Sequence, residues 1–78
     1  MNITISKKAA KTLETFDKSL QTRILDGING IPKGDIKPLY GYSDGRQRLR
    51  IGKYRIVFYY MAEGLYVMEI GSRGDIYK

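Results

Sequence analysis

The apolar residues of this chain change their spacing twice. Ile3 and Ile5 alternate with polar neighbours over Asn2–Ile5, which predicts a short strand. Ala9, Leu13 and Phe16 then fall at helical spacing and predict an amphipathic helix over residues 7–16, with Ser6 as its N-cap. Leu20, Ile24, Leu25 and Ile28 repeat that spacing. They predict a second helix over residues 18–28, capped by Asp17 and ended by Asn29-Gly30. With a very short link between them, the two read as an antiparallel helical hairpin.

Residues 31–44 lose the pattern. Pro32, Gly34, Pro38, Gly41 and the Asp44-Gly45 turn predict a loop, anchored to the core by Leu39 and Tyr40. Alternation then returns and dominates. Residues 46–60, RQRLRIGKYRIVFYY, predict two strands joined at Gly52-Lys53. A two-residue loop sets the pairing: Ile51 opposite Tyr54, Arg50 opposite Arg55, Leu49 opposite Ile56, Arg48 opposite Val57 and Gln47 opposite Phe58. One face carries Leu49, Ile51, Tyr54, Ile56, Phe58 and Tyr60. The other carries Arg46, Arg48, Arg50 and Arg55, with Val57 and Tyr59 beside them.

A second hairpin turns near Ala62-Glu63-Gly64. A two-residue turn would place Glu69 beside Phe58 on the apolar face. A three-residue loop pairs Met61 with Leu65 and sends Tyr66, Met68 and Ile70 to the core, Val67 and Glu69 to the basic face. The second register is expected, because a buried carboxylate is costly. Parity along the strand then carries Arg73 towards the basic face.

Residues 1–78 thus predict one small α+β domain of order β-α-α-β-β-β. A helical hairpin covers one face of a small, mostly antiparallel sheet, and the other face stays open. The short first strand fits either edge.

Charge sharpens this picture. With 14 Lys and Arg against 8 Asp and Glu, the net charge is +6 and the pI about 9.7. Nucleic acid, an anionic membrane surface or an acidic protein are the partners such a domain suits. There is no cysteine and no histidine, which excludes a disulfide framework, a thiolate nucleophile and the commonest metal ligands. No apolar run approaches the ~18 residues of a membrane span, and the first residues lack the layout of a secretory signal. A cytoplasmic location with no membrane partner is expected. Four guanidiniums on one face repel, and Arg50 directly opposite Arg55 is unfavourable, so an anionic partner is the natural reason to keep them. The plainer alternative is a solvated strand, with Glu69 merely neutralising a neighbouring arginine. Lys7, Lys8, Lys11 and Lys18 suit a solvated helix face, and Tyr54, Phe58 and Tyr60 suit the core.

The run LRIGKYRIVFYY, followed after a hairpin by VMEIGSRGDIYK, resembles the C-terminal half of the RelE/ParE-superfamily toxins of type II toxin–antitoxin modules. The pattern is a basic strand with Arg46, Arg48 and Arg50, then Gly52-Lys53-Tyr54-Arg55, then Gly71-Ser72-Arg73 and the terminal aromatic Tyr77. The helical hairpin and the element order match as well, so the likeness covers nearly the whole chain. It implies a RelE-like fold. It also implies the RelE activity, ribosome-dependent cleavage of mRNA in the A site, because Arg55, Arg73 and Tyr77 stand where RelE-like nucleases use them. Arg46 and Arg48 occupy places where that branch commonly has lysine. Arginine keeps its proton in proteins, so these positions supply charge and not a base.

Such cleavage needs the 2′-OH to attack the adjacent phosphate and expel the 5′-oxygen, with no metal or other cofactor. Fixed cations at the phosphoryl oxygens supply the largest stabilising effect. Arg55 and Arg73 are assigned to the scissile phosphate, and Arg48, counted with the catalytic residues, joins Arg50 in holding flanking phosphates or ribosomal RNA. Tyr77 stacks on a base or protonates the leaving oxygen. Arg46, Arg50, Lys53 and Tyr59 hold flanking RNA, and Glu69 is the candidate base. The implied partners are mRNA, the ribosome and a cognate antitoxin, whose acidic or amphipathic segment folds over the arginines. Operator DNA is reached only through that antitoxin. The other implied functions are a ParE-like inhibitor of DNA gyrase and an inactive antitoxin-binding module.

Overall fold

Ser6 divides the first strand from the first helix. Its backbone is extended (φ −62°, ψ 159°), its Oγ accepts the Ala9 N–H at 3.0 Å, and the same hydroxyl donates to the Met68 carbonyl at 2.7 Å. One side chain thereby caps a helix and ties it to a residue 62 positions further along the chain. The computed structural model describes residues 2–72. Their order is β1 (Asn2–Ile5), α1 (Lys7–Glu14), α2 (Lys18–Asn29), β2 (Asp35–Pro38), β3 (Gln47–Ile51), β4 (Tyr54–Met61) and β5 (Gly64–Ser72). Helix α1 stops at Glu14, short of Phe16, because Thr15 turns the chain with its Oγ1 donating to the Thr12 carbonyl at 2.6 Å. Asp17 caps α2 as expected, accepting the Leu20 N–H at 2.8 Å.

The five strands form one sheet in the order β1-β5-β4-β3-β2. Strand β1 lies parallel to β5, and every other pair is antiparallel. Both helices cover one face. Ala9, Ile24 and Ile28 from the helices meet Leu49, Ile56, Phe58, Leu65 and Val67 from the sheet, all 2% exposed or less. The fold class is the expected α+β sandwich.

Strands β3 and β4 pair in the expected register, turning at Gly52 with φ +59°. Four other expectations are corrected. Residues 31–44 are not all loop, because β2 pairs with β3 through Asp35–Arg50, Ile36–Leu49, Lys37–Arg48 and Pro38–Gln47. The polar–apolar–polar run Asp35-Ile36-Lys37 fits a half-buried strand, and Pro38 is tolerated because β2 is an edge. The order therefore gains one strand.

The β4–β5 hairpin has a two-residue turn, Ala62-Glu63, which pairs Met61 with Gly64 and Phe58 with Val67. Met68 is then skipped, and Val57 pairs with Glu69. This bulge puts Val67 in the core and Tyr66 on the opposite face, the reverse of the expected register. Ile70 stays inside and Glu69 outside, so the carboxylate escapes burial by an extra residue in the strand and not by a longer turn. Gly64 has a separate constraint: a Cβ there would run into the backbone oxygen of Asn2 on β1.

Finally, Tyr40 does not anchor the loop. It is 88% exposed, while Leu39 is half-buried. Tyr60, expected in the core, stands near the hairpin end with its ring edge-on to Phe58 and 47% exposed.

Candidate nucleic-acid interface

The face of the sheet away from the helices is built in rows, because paired residues share a face and alternate residues return to it. One row crosses Asp35, Arg50, Arg55 and Gly71 from β2 to β5. The next crosses Lys37, Arg48, Val57 and Glu69. In the last, Tyr59, Tyr66 and Thr4 lie side by side. Arg46, one residue before β3, continues the alternation on that side.

The arginines differ in setting. Arg48 is 6% exposed, and its Nη1 donates to the Asp35 carbonyl at 2.9 Å while lying 3.3 Å from the Asp35 carboxylate. Arg55 is 8% exposed, between Arg50 on β3 and Gly71 on β5. Arg50 is exposed, opposite Asp35 on one side and Arg55 on the other. Arg46 grips Asp44 through Nε at 3.1 Å and Nη2 at 2.7 Å, and its guanidinium lies 3.9 Å from the centre of the Tyr42 ring. These hydrogen bonds hold the Asp44 carboxyl below the usual carboxylate range and raise Arg46 above its own.

The face is thus not a bare cluster of cations. Asp35 and Asp44 interleave it, and Asp35 arrives on the strand that the sequence pattern hid. Lys53 lies exposed on the β3–β4 turn, its Nζ 5.5 Å from the centre of the Tyr54 ring. Tyr59 stacks on Tyr66 with ring centres 5.3 Å apart. Glu69 is on the cationic side, as expected, but its partner is Lys8 of α1, at 2.8 Å. Lys8 itself is exposed on its helix face, as expected, so the pair is a solvated one. Arg73 and Tyr77 lie outside the described residues.

Beside Glu69, a recess of about 310 Å³ runs between α1 and β5, lined by Lys8, Thr12, Phe16, Tyr54, Glu69, Ile70, Gly71 and Ser72. Among the described residues no cluster of acidic side chains is placed to hold a metal ion. No helix among them is long and apolar enough to cross a membrane.

Residues missed by the sequence pattern are Asp35 and Lys37, hidden in an apparent loop, and Tyr66, assigned to the wrong face. The Ile36 alternation was the available signal for the first two. The break in alternation across Val67-Met68-Glu69-Ile70 was the signal for the third.

No protein-family profile and no curated protein matches the sequence. Solved structures do match. The chain is similar to a RelB–RelE antitoxin–toxin complex from Methanococcus jannaschii, with TM-score 0.76 and 25% identity over 95% of this chain and 94% of that one. It is similar to an archaeal RelE–RelB complex from Pyrococcus horikoshii OT3, with TM-score 0.73 and 25% identity over 95% and 96%. The fold also matches the isolated RelE toxin of E. coli, with TM-score 0.64 and 16% identity over 96% and 88%.

Proposed function

We propose that this chain, which belongs to the RelE-like toxins of type II toxin–antitoxin systems, is a ribosome-dependent mRNA endonuclease held in check by a cognate antitoxin. The observation that carries this reading is the run of Arg50, Arg55 and Arg48 on adjacent strands of the helix-free face. Keeping Arg50 opposite Arg55 costs stability, and an RNA phosphate between them turns the repulsion into binding.

The proposed reaction draws on these groups. The ribose 2′-OH attacks the neighbouring phosphorus, a 2′,3′-cyclic phosphate forms, and the 5′-oxygen leaves with a proton. Arg55 donates to the phosphoryl oxygens where negative charge grows, and its planar fork matches two of them. Arg73 joins it there. Arg48 offers a guanidinium with five N–H donors, of which Asp35 engages those on Nη1. Arg46, Arg50 and Lys53 hold flanking phosphates, and Tyr59 borders them. Tyr77 stacks on a base or protonates the leaving oxygen. Glu69, which pairs with Lys8 at 2.8 Å, is the candidate on this face to take the 2′-OH proton. Histidine is missing from the chain, so orientation of the RNA by the ribosome has to supply much of the rate. The enzyme acts in the cytoplasm and needs no cofactor. RelB–RelE complexes among the similar structures support an antitoxin partner. An acidic or amphipathic segment lying over the arginines would block RNA by occupancy.

Mapping the 5′ ends of mRNA after induction tests this directly. Wild type should produce new ends inside codons. Arg55→Ala and Arg73→Ala should each lower cleavage on ribosomes about 100-fold or more, the scale of losing one transition-state donor. Folding is checked by thermal melts, because Arg55 is buried. Folded variants that remain fully toxic, or intact mRNA accompanied by DNA breaks, would sink the proposal.

A further inference from the structure

Between β2 and β3 lies a loop, residues 40–45, that the cleavage chemistry does not use. Its base is closed by the Leu39 N–H donating to the Arg46 carbonyl at 3.1 Å. Asp44 stiffens it, accepting the Arg46 backbone N–H at 3.1 Å as well as the guanidinium. The guanidinium lies against the Tyr42 ring, yet the Arg46 side chain stays 25% exposed. Tyr40 is different again. At 88% it is the most exposed of the large hydrophobic residues described, and it stands between Leu39 and Gly41, two residues from Tyr42.

A protein partner that buried Tyr40 would need apolar ground around it. The ground is mixed instead: Pro38, Leu39 and Tyr42 stand among Lys37, Gly41, Ser43, Asp44, Gly45 and Arg46. Tyr40 follows Leu39, whose N–H meets the Arg46 carbonyl across the base of the loop, so an exposed ring and a partly exposed cation stand at one end of the sheet; that combination suits a nucleotide, which offers a flat base and a phosphate at once. The loop is also continuous with the cationic face. Residues on one strand face repeat about every 7 Å, so Arg46 lies roughly 13 Å along β3 from the Arg50–Arg55 pair. A short run of single-stranded RNA covers that span.

Resting on the nuclease reading above, we infer that Tyr40 and Arg46 form a second nucleotide subsite for the mRNA strand, away from the cut bond. The Tyr40 ring stacks on an unpaired base, and Arg46 holds the phosphate next to it. Stacking tolerates any base, so the subsite sets how the strand is held and not which codon is cut.

The test uses ribosomes programmed with an mRNA whose target codon carries 2′-O-methyl sugars, so that the toxin binds and cannot cut. A 2-aminopurine is moved through the positions on either side of the codon. Wild type should quench it at one flanking position. Tyr40→Ala, harmless to the fold at a site so exposed, should abolish that quenching and weaken binding about 10-fold, whereas Tyr40→Trp restores both. An abasic nucleotide at the quenched position should weaken wild type equally, and Tyr40→Ala should add nothing further. Undiminished binding by Tyr40→Ala overturns the subsite. So does a loss that persists on the abasic mRNA, which would place the ring on ribosomal RNA, or a loss confined to antitoxin binding. If wild type neither binds these ribosomes nor cuts ordinary mRNA, the nuclease reading itself falls. If it cuts while Tyr40→Ala binds normally, only the subsite does.

Discussion

Two hairpins share strand β4, and they solve the same problem differently. The β3–β4 hairpin turns at Gly52 and pairs without interruption, because apolar and polar residues alternate in step on both strands. The β4–β5 hairpin also has a two-residue turn, but its apolar residues fall out of step: Leu65 and Val67 are two apart, whereas Val67 and Ile70 are three apart. All three belong under the helices. The extra residue, Met68, absorbs the odd interval and keeps Glu69 outside. A break in alternation is therefore information. It marks a bulge where the apolar residues on both sides of it need the same face.

The first hairpin is regular without being self-sufficient, and Asp35→Ala should expose that with the largest effect. Arg48 is buried and takes its counter-charge from β2. Removing the carboxylate should lower unfolding stability by about 1–3 kcal/mol in urea titrations, short of a fully buried pair because Asp35 is half-exposed. Unchanged stability would mean that β3 does not lean on β2.

Deleting Met68 sharpens the contrast. If it is a bulge, the pairs Val57–Glu69 and Ile56–Ile70 survive its loss, and the domain stays folded at a cost of about 1 kcal/mol. If β5 were regular, the deletion would turn every later residue to the wrong face and unfold the domain. Circular dichroism during denaturation separates the two outcomes.

The smallest effect sits in the loop above the first hairpin. Asp44 has a depressed pKa in the folded state because Arg46 donates to it. Its contribution is complete above the ordinary carboxyl value of about 3.9 and is lost as pH falls through the lower folded value. Near neutral pH nothing changes. An NMR titration should show the Asp44 carboxyl titrating below the usual range, with Tyr42 ring signals moving alongside. An ordinary titration would mean that the Arg46 grip does not persist in solution.

The helices, their caps and the β3–β4 register were legible because local signals agreed: Ser6 and Asp17 before apolar stripes, and a glycine between two alternating runs. Placement of Arg46, Arg48, Arg50 and Arg55 on one face followed from that register. Their surroundings did not. The ion pair at Arg48 depends on Asp35, and β2 offers one apolar residue, Ile36, between a glycine and a proline. Tyr66 was misplaced because turn length and bulge are alternative answers to the same odd interval, and alternation alone does not choose between them. The exposure of Tyr40 had no local signal, since a tyrosine beside a leucine reads as core.

One consequence of the strand order concerns assembly. Strand β5 is the last of the described strands and lies inside the sheet, between β1 and β4. The bond from Ser6 to Met68 joins residues 62 positions apart. On a ribosome making this chain, β1 emerges long before β5, its pairing partner among the described residues, and it stays unzipped until β5 follows. The helices and the β2–β4 meander form from nearby contacts, and the slow, entropically expensive step is the final long-range closure.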